Sequence, residues 1–505
     1  MNQNYPRPQL RRESFQSLDG EWIINGTPGT VPSCRREEHL HYEKTFDFHR
    51  EKARTILHIG AADQVAKVIL NGEYLGSHEG GYLPFSFDIS KAVREGENRL
   101  EIEVTDTLDR SYPYGKQAKK PSGMWYTPVS GLWKSVWLEQ VPTEYIADIK
   151  ITPDLKGVDL KILSSEGYTI SRRIEPEHPI LWTPENPHLY TESLCLGEDR
   201  VEIYYALRTI EIKEVDSVPR ICLNGDPIFL NGVLDQGYWP DSIFIPSEPD
   251  GYEKDILLMK ELGFNMLRKH IKVEDEEFYY QCDRLGMLVM QDMVQTGGYS
   301  LLWDTVLPTL GYRRGDRVSE LNPAQQFFTQ HCEDTVAHLY SHPCIIAWTI
   351  FNEGWGQFNS DDMYEKFKSW DPSRPADAAS GWFQQKKGDF DSPHVYFRNK
   401  DLKPGARPML VSECGGFTLA TAGSKTKWGY GKCDNAETLT DRIMEMYEKM
   451  ILPKIADGVC GVVYTQLSDV EGELNGLYTA DRKCKVNKKR LSEFFHSCQC
   501  RPDMV

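Results

Sequence analysis

The sequence predicts a multidomain protein in which two β-sheet domains precede a C-terminal (β/α)₈ barrel. Its 505 residues are too many for one ordinary hydrophobic core. Up to about residue 216, short apolar runs are separated by turn residues, a pattern typical of β-sandwiches. Beyond that point apolar runs alternate with amphipathic helical segments, which indicates βα units and a parallel sheet.

The composition is that of a globular protein, with 40% hydrophobic and 26% charged residues. Acidic residues outnumber Lys and Arg by 75 to 58, and the formal net charge of −17 repels phosphate backbones and anionic membrane surfaces. We therefore expect neither a nucleic acid nor a membrane as a partner. Residues 1–12 lack the apolar core of a signal peptide, so a cytoplasmic location is expected.

The twelve cysteines form no framework of short spacings, and we expect them to be reduced. The terminal Cys498-x-Cys500 pair could bind a metal, but no second pair or histidine cluster accompanies it. No metal site is therefore predicted.

The first β region has strand-like runs at residues 55–60, 66–70 and 99–104, and Asn71-Gly72 predicts a hairpin turn. The second, residues 141–216, has runs at 148–152, 159–162 and 202–212 and is predicted to be a small sandwich.

Three helices of the barrel region have recognisable ends. The first is predicted to begin at Asp250, which forms a capping box with Glu253, and to end at Gly263. The second runs from about Asp275 to Leu285 and stops at Gly286. The third begins at Asn322-Pro323, a cap followed by a first-turn proline, and ends near Tyr340.

Apolar runs follow these helices, and eight of them can be counted: 228–233, 264–268, 287–292, 345–352, 376–380, 394–397, 409–413 and 458–466. Eight parallel strands form a (β/α)₈ barrel, and chemistry in that fold lies where the strands end.

Glu353 and Glu413 each end one of these apolar runs, and a buried carboxylate needs a reason. Trp355 could form an apolar wall that favours a protonated carboxyl, as a general acid requires. Gly415 and Gly416 let backbone donors approach and keep Glu413 ionised, as a nucleophile requires. Two carboxyls with opposed protonation suit glycoside hydrolysis, about 5 Å apart for retention and wider for inversion. Alternatively, both carboxylates anchor loops by pairing with arginines.

At these residues the sequence resembles glycoside hydrolase family two, the family of β-galactosidases, β-glucuronidases and β-mannosidases. The motifs that carry the resemblance are Leu70-Asn71-Gly72, Gly80-Gly81-Tyr82, Leu223-Asn224-Gly225, Asn265-Met266-Leu267-Arg268, Cys282-Asp283-Arg284, Asn352-Glu353 and Ser412-Glu413. The resemblance implies a jelly-roll domain over residues 1–140, an immunoglobulin-like domain over 141–216 and a TIM-barrel catalytic domain over 217–505.

The resemblance also implies residue roles: Glu353 is the acid/base, Asn352 holds the sugar 2-hydroxyl and Glu413 is the nucleophile. Arg268 and Tyr396 are expected beside Glu413, where a positive charge and a hydroxyl donor would keep it ionised. On the eighth strand Tyr464 takes the place of the tryptophan that usually forms a sugar platform.

Several positions depart from the family pattern. The Arg-x-Ser-His-Tyr-Pro element of the larger enzymes is replaced by residues 268–272, so His270 is a substrate-binding candidate whose role stays open. The acidic residue that large β-galactosidases supply from the jelly roll falls near Trp125. The aromatic run around Trp125 is either sandwich core with a domain contact or a direct sugar contact. Where β-glucuronidases have Asn-x-Lys, this chain has Glu473-Leu474-Asn475, and Glu473 should repel a uronate.

Asp235 and Gln236 follow the first barrel strand and offer a carboxylate and an amide to sugar hydroxyls, with aromatic neighbours for stacking. The alternative is that Asp235 caps the following turn. Trp355 is a further substrate-binding candidate. Because the metal-binding insertions of the largest β-galactosidases are missing, no Mg²⁺ and no cofactor are implied.

These observations favour a retaining exo-β-glycosidase, β-galactosidase-like, acting on an oligosaccharide or glycoside by double displacement. A β-glucuronidase or another β-glycosidase of the family is the alternative enzyme. The alternative from another class is a carbohydrate-binding protein without catalysis, although binding alone has no use for both Glu353 and Glu413. A homo-oligomer is left open.

Overall fold

The computed structural model describes residues 5–312, 315–316, 321–396, 399–420 and 429–499. Its N-terminal domain is a sandwich of a six-stranded and a four-stranded antiparallel sheet, joined by a two-stranded ladder. Asn71 and Gly72 both have positive φ, 54° and 83°, which forms the predicted hairpin turn. The strands are β1 (Phe15–Ser17), β2 (Gly20–Ile24), β3 (Thr27–Val31), β4 (His39–Phe48), β5 (Arg54–Ile59), β6 (Ala62–Asp63), β7 (Val65–Leu70), β8 (Glu73–Glu79), β9 (Phe85–Asp88), β10 (Gly96–Thr105), β11 (Gly131–Leu132) and β12 (Val136–Val141).

The middle segment contains one three-stranded and one two-stranded antiparallel sheet, followed by a second three-stranded sheet that leads into the barrel. Its strands are β13 (Ile146–Pro153), β14 (Val158–Ser164), β15 (Thr169–Ile174), β16 (Tyr190–Leu196), β17 (Asp199–Tyr205), β18 (Ile210–Val215), β19 (Val218–Leu223) and β20 (Asp226–Pro227).

The prediction of one strand over residues 202–212 was wrong, because the chain leaves the sheet between β17 and β18. In this gap the buried Arg208 donates hydrogen bonds to the carbonyl oxygens of Pro343 and Ile345, at 2.9 and 2.8 Å. The guanidinium thus binds backbone acceptors at the start of a barrel strand, a tertiary contact that the apolar pattern of the segment does not encode.

The C-terminal region forms the predicted barrel of eight parallel strands, in the spatial order β25-β24-β23-β22-β21-β28-β27-β26. The strands are β21 (Leu230–Asp235), β22 (Met266–Lys269), β23 (Leu288–Asp292), β24 (Ile345–Asn352), β25 (Ala376–Ser380), β26 (His394–Val395), β27 (Met409–Gly415) and β28 (Val459–Thr465). Each of the eight predicted runs overlaps one strand; Phe397, the end of the sixth run, lies outside the described residues.

The barrel closes between β25 and β26 through contacts other than a regular ladder. The Gly381 N–H donates to the Ser392 carbonyl oxygen at 2.9 Å, and Ser380 Oγ lies 2.9 Å from His394 Nε2. Closure therefore brings Ser380 and His394, which end and begin these two strands, into direct contact.

The helices largely end where the sequence predicts, and are α1 (Gly251–Leu262), α2 (Glu276–Leu285), α3 (Leu307–Thr309), α4 (Pro323–Leu339), α5 (Ser360–Trp370), α6 (Ala436–Met446) and α7 (Lys488–Gln499). Two π-helical turns, Leu301–Val306 and Tyr447–Ile451, and a 3₁₀ turn, Leu452–Lys454, complete the set in the described residues. Asp275 caps α2, and Asn322 forms a capping box with Gln325 at α4. The capping box predicted at Asp250 was wrong: its side chain makes no cap bond and instead pairs with Lys254 at 2.9 Å.

The N-terminal domain contacts both other parts of the chain. The buried Arg12 binds Glu139 of β12 and Asp199 of β17, at 2.6 and 2.9 Å. Tyr126 reaches the barrel, where its hydroxyl donates to Glu473 Oε2. In the described part of the chain, no helix combines the length and apolar character that crossing a membrane requires.

Candidate active site

Glu353 is the first residue after β24, and its backbone adopts a left-handed conformation with φ 54°. This region is uncommon for a residue with a side chain. The Glu353 N–H donates to the carbonyl oxygen of Ser380 at 2.9 Å, which ties the turn to the end of the neighbouring strand. Gly354 and Gly356 continue the turn with φ 77° and 62°. The small residues after Glu353 therefore allow the chain to turn sharply at the barrel rim.

Glu413 lies within β27 and is buried. Arg268 Nη1 donates to Glu413 Oε1 at 3.1 Å and to the Ser412 carbonyl oxygen at 3.0 Å. The Tyr396 hydroxyl donates to the other carboxylate oxygen, Oε2. The structure thus brings Arg268 and Tyr396 to Glu413, as the sequence analysis expected.

The Glu413 carboxyl is held in its ionised form. Burial by itself would raise its pKa, but the charges of His394 and Arg268, with His270 and the hydrogen bond from Tyr396, act more strongly in the other direction and lower the pKa to about 2. An ionised carboxylate is the form that a nucleophile needs.

The two carboxylates lie close to each other, with His394 between them. One carboxylate oxygen of Glu353, one ring nitrogen of His394 and one carboxylate oxygen of Glu413 all lie within 4.8 Å of one another. Retaining glycosidases hold their two carboxyl groups about 5 to 5.5 Å apart, whereas inverting ones need room for a water molecule. One oxygen of each carboxylate therefore lies closer to the other than the separation that inverting enzymes use.

His394 was not among the predicted site residues, yet it is buried and contacts Glu353 directly. Its Nδ1 lies 2.8 Å from Glu353 Oε1, and its Nε2 lies 3.6 Å from Glu413 Oε1. His394 is also the register partner of Glu413 in the β26–β27 ladder. Because His394 lies two residues before Tyr396, both share one face of an extended chain, and this spacing was the available signal.

Arg268 holds several groups at the barrel mouth together. Its Nη2 donates to Asn352 Oδ1 at 2.9 Å, and its Nε donates to Asp292 Oδ1 at 3.0 Å. Asp292, which the sequence analysis also missed, lies 2.7 Å from His270 Nδ1 through its other oxygen. Burial and the charge of Lys116 lower the pKa of His270, which favours the neutral ring. Asn352 and His270 therefore both join the network around Glu413.

Asp235 and Gln236 are engaged in contacts within the protein. Asp235 Oδ1 accepts a hydrogen bond from the Gly237 N–H at 2.8 Å, which is the turn cap considered as the alternative, and its Oδ2 pairs with Lys269 at 2.6 Å. Gln236 Nε2 donates to Gln466 Oε1 at 2.8 Å. A substrate contact for these two residues stays a prediction.

Trp355 belongs to an aromatic group that the N-terminal domain shares with the barrel. Its ring centroid lies 4.8 Å from that of Trp125 and 5.4 Å from that of Tyr114, and Trp125 also contacts Tyr299 at 5.3 Å. Trp125 thus makes a domain contact with Trp355, which lies two residues along the chain from Glu353. Tyr464 is fully buried, with its ring 6.5 Å from that of Phe417.

A second acidic group lies near the carboxylate pair. Glu473 is buried; its Oε1 accepts a hydrogen bond from Asn475 Nδ2 at 3.0 Å, and its Oε2 accepts the one from Tyr126. Burial raises the pKa of Glu473, and the hydrogen bond from Tyr126 and the charge of Lys116 act against that shift. Both Glu473 oxygens are thus engaged by donors within the protein.

Lys116, from the N-terminal domain, is buried with 8% of its surface exposed, and its Nζ lies 5.9 Å from the centre of the Trp125 ring. Among the described residues its ammonium has no hydrogen-bond or ion-pair partner. The charge of Lys116 acts on Glu473, but no carboxylate among the described residues pairs with the ammonium directly. This position therefore suits an electron-rich group of a ligand.

Within the described residues, Glu353, His394 and Glu413 are the one group of acidic, histidine or cysteine side chains close enough to hold a metal ion. In the structure His394 Nδ1 and Glu353 Oε1 are instead paired with each other at 2.8 Å. Cys498 is buried, and Cys500 lies outside the described residues.

The depressed pKa of Glu413 predicts a pH-dependent contribution to stability. Its contribution is fully present above the ordinary pKa of 4.5 and is lost as the pH falls toward about 2. We expect the urea midpoint of the wild type to fall more steeply below about pH 4.5 than that of Glu413→Gln, whose side chain does not titrate in this range. Urea titrations between about pH 6 and about pH 3 test this; parallel pH dependences would contradict it.

The fold and the site define the class of this protein: a multidomain (β/α)₈-barrel protein with two close carboxylates at the carboxyl ends of its strands. Comparison with known families agrees with that class. Residues 217–499, more than half of the chain, match the TIM barrel domain of glycosyl hydrolases family 2, and residues 32–143 match the galactose-binding domain-like domain of the same family. The chain belongs to glycoside hydrolase family 2.

Curated relatives include β-galactosidases. That of Erwinia tasmaniensis is 26% identical over 494 residues, which cover 84% of this chain and 46% of the relative. That of Pectobacterium atrosepticum is 26% identical over 385 residues, which cover 66% of this chain and 34% of the relative. The chain spans about a third to a half of the length of these relatives.

Solved structures with the same fold cover almost the whole chain. A β-D-glucuronidase of Dictyoglomus thermophilum superposes with a TM-score of 0.77 at 19% identity and covers 99% of each chain. A β-galacturonidase of Eisenbergiella tayi superposes with a TM-score of 0.73 at 19% identity and covers 97% of each chain. At this level of identity the likeness concerns the fold.

Proposed function

We propose that the protein is a retaining exo-β-glycosidase that hydrolyses terminal β-linked sugars by double displacement. The observation that carries the proposal is the close approach of Glu353 and Glu413 at the carboxyl ends of two barrel strands, where one oxygen of each carboxylate lies within 4.8 Å of the other. The different environments of the two carboxylates support it, because Arg268 and Tyr396 both bind Glu413 while Glu353 binds His394.

In the first step a Glu413 oxygen attacks the anomeric carbon, while Glu353 gives its proton to the departing glycosidic oxygen. The bond from the anomeric carbon to that oxygen breaks, and a glycosyl ester forms on Glu413. In the second step Glu353 takes a proton from water, whose oxygen attacks the anomeric carbon and releases Glu413. Asn352, held by Arg268 at 2.9 Å, is the proposed partner of the sugar 2-hydroxyl.

An exo-acting enzyme is supported by the position of the N-terminal domain. Trp125 packs on Trp355, and Tyr126 binds Glu473. The N-terminal domain therefore covers one side of the open end of the barrel. A barrel opening that is covered on one side accepts the terminal sugar of a glycan more readily than an internal sugar.

A neutral sugar such as galactose is the first substrate candidate. Several curated relatives are β-galactosidases, and Glu473 takes the place of an element that would bind a sugar carboxylate. We therefore propose a β-galactosidase-like specificity.

A β-uronidase is the second candidate, and Lys116 is the observation that favours it. Its ammonium, which has no hydrogen-bond or ion-pair partner among the described residues, could neutralise the carboxylate of a uronic acid. Both oxygens of Glu473 accept hydrogen bonds within the protein, from Tyr126 and Asn475, so this carboxyl is not directed at a ligand without a partner.

Hydrolysis of p-nitrophenyl β-galactoside, β-glucuronide, β-glucoside and β-mannoside tests the proposal and separates the candidates, with Lys116→Met as the specificity variant. If the protein is β-galactosidase-like, we expect the galactoside to react and Lys116→Met to change its kcat/KM by less than about tenfold. If it is a uronidase, the glucuronide reacts and Lys116→Met lowers kcat/KM by about 100-fold, the effect of losing a charged contact. Binding of the sugars without turnover of any glycoside would favour the non-catalytic carbohydrate-binding protein.

A further inference from the structure

His394 bridges the two proposed catalytic carboxylates and a chain of serine hydroxyls on its other side. Nδ1 faces Glu353 Oε1 at 2.8 Å, and Nε2 faces Ser380 Oγ at 2.9 Å. Ser380 Oγ in turn lies 2.8 Å from Ser412 Oγ, and the Ser412 hydroxyl donates to the Ser392 carbonyl oxygen at 2.9 Å. All four residues are fully buried or nearly so, which leaves bulk water no place in this chain.

The protons of this chain can be assigned by counting. The three contacts from Nε2 to the Ser392 carbonyl each need one proton, the two serine hydroxyls supply two, and a carbonyl oxygen supplies none. The third proton must therefore belong to His394 Nε2. Any other assignment leaves two buried oxygen or nitrogen lone pairs facing each other at hydrogen-bond distance.

With Nε2 protonated, Nδ1 is the atom through which His394 gains or loses a proton. The contact between Nδ1 and Glu353 Oε1 holds one proton, which is located either on the carboxyl or on the imidazole. Wherever this proton is located, the hydrogen bonds from Nε2 through Ser380 and Ser412 to the Ser392 carbonyl stay the same.

We propose that His394 is the positioning partner of Glu353 and shares with it the proton that Glu353 delivers to the leaving group. The inference rests on the proposed glycosidase function and assigns to its acid/base a second residue. The serines Ser380 and Ser412 act through His394 by fixing the protonated nitrogen.

The proton balance follows the two chemical steps. When Glu353 gives the shared proton to the departing oxygen, a carboxylate is left facing the lone pair of neutral His394 Nδ1. This arrangement is unfavourable, because two lone pairs then face each other without a proton between them. In the second step Glu353 takes a proton from water, and the pair again holds one proton.

Other charged or titratable groups surround His394. Glu413 of β27 lies 3.6 Å from Nε2 and is itself bound to Arg268 of β22, and the Tyr396 ring lies 6.4 Å from the imidazole ring. Asp377 of β25 also interacts electrostatically with His394, and burial raises the pKa of Asp377 to about 6. The carboxylate of Glu413 thus lies on the same side of the ring as the nitrogen that the serine hydroxyls contact.

Two variants test the role of His394 in kinetics. His394→Asn keeps an amide that can donate to Glu353 but cannot carry a transferable proton, and Ser380→Ala keeps the ring but removes the partner of Nε2. We expect His394→Asn to lower kcat/KM by about 100-fold on a substrate whose leaving group needs protonation, such as a methyl glycoside, as expected for losing acid catalysis. On a 2,4-dinitrophenyl glycoside, which needs no acid, we expect less than about a fivefold loss. Ser380→Ala should show the same pattern with a smaller effect.

Equal losses on both substrates would overturn the proposal, since they would place the effect of His394 on Glu413 or on the fold. Thermal unfolding of each variant distinguishes an effect on Glu413 from a loss of folding stability. Wild-type protein that hydrolyses neither substrate would instead refute the proposed glycosidase function.

Nitrogen NMR tests the proton assignment whether or not the protein turns over a glycoside. In protein labelled with ¹⁵N histidine, the His394 ring signals are identified among the 13 histidines by their loss in His394→Asn. We expect a protonated Nε2 and a Nδ1 signal between the protonated and unprotonated extremes. A His394 ring protonated on Nδ1 and unprotonated on Nε2 would overturn the assignment, and with it the proposal.

Discussion

Replacement of Glu413 by glutamine is expected to lower kcat on the best aryl β-glycoside by on the order of 10⁴-fold, the size of effect seen when a nucleophile is removed from an enzyme. The amide keeps the volume of the carboxyl group and can still contact Arg268, but it cannot form the glycosyl ester. The effect should be largely in kcat, because the contacts that bind the sugar ring are retained.

The kinetic result can be joined to a chemical one. A 2-deoxy-2-fluoro glycosyl fluoride of the preferred sugar forms the ester but hydrolyses it slowly, so mass spectrometry of peptides should locate the sugar on Glu413. Glu445→Gln, which changes an exposed carboxylate of α6, serves as the control and should leave kcat unchanged. A label on another carboxylate, or a Glu413→Gln variant with near wild-type kcat, would disprove the assignment of the nucleophile.

Replacement of Arg268 by methionine is expected to reduce the free energy of unfolding by about 3 to 5 kcal/mol, the cost of leaving buried charges without their partner. The Arg268 side chain is 0% exposed and neutralises both Asp292 and Glu413. Without the guanidinium, the pKa of Glu413 should rise toward its ordinary value and Asn352 should lose its anchor, so kcat should fall as well.

Arg284→Met is the matched control, because the Arg284 side chain is 39% exposed and pairs with Glu253 on the helical surface. An exposed pair of this kind contributes less than about 1 kcal/mol. Urea unfolding followed by circular dichroism measures both variants. Equal destabilisation by the two substitutions would mean that the buried network around Arg268 has no special role in stability.

Much of the barrel could be predicted from local pattern. All eight apolar runs overlap strands, because strands buried on both faces read as continuous apolar segments. Gly263 and Gly286 end α1 and α2 in the left-handed conformation that glycine adopts freely. The errors at Asp250 and in the run 202–212 both arose where a side chain found a partner elsewhere, Lys254 in the first case and the carbonyl oxygens of residues 343 and 345 in the second.

The sequence by itself determined which carboxylates to consider. Glu353 and Glu413 end apolar strands, and strand ends meet at one side of a parallel barrel, so their convergence with Arg268, Asn352 and Tyr396 follows from topology.

Only the tertiary structure decided which groups surround that pair. His394 bonds Glu353 across 41 residues of sequence, and Tyr126 bonds Glu473 across 347. The spacing of His394 and Tyr396 could have placed His394 at the site, but no linear pattern indicates that its partner is Glu353 or that Tyr126 binds Glu473. Local sequence fixes where a strand runs and which face is buried, whereas the partner of a buried polar group is set by barrel closure and domain packing. Those long-range contacts place His394 between the two carboxylates and Tyr126 of the N-terminal domain beside Glu473 of the barrel.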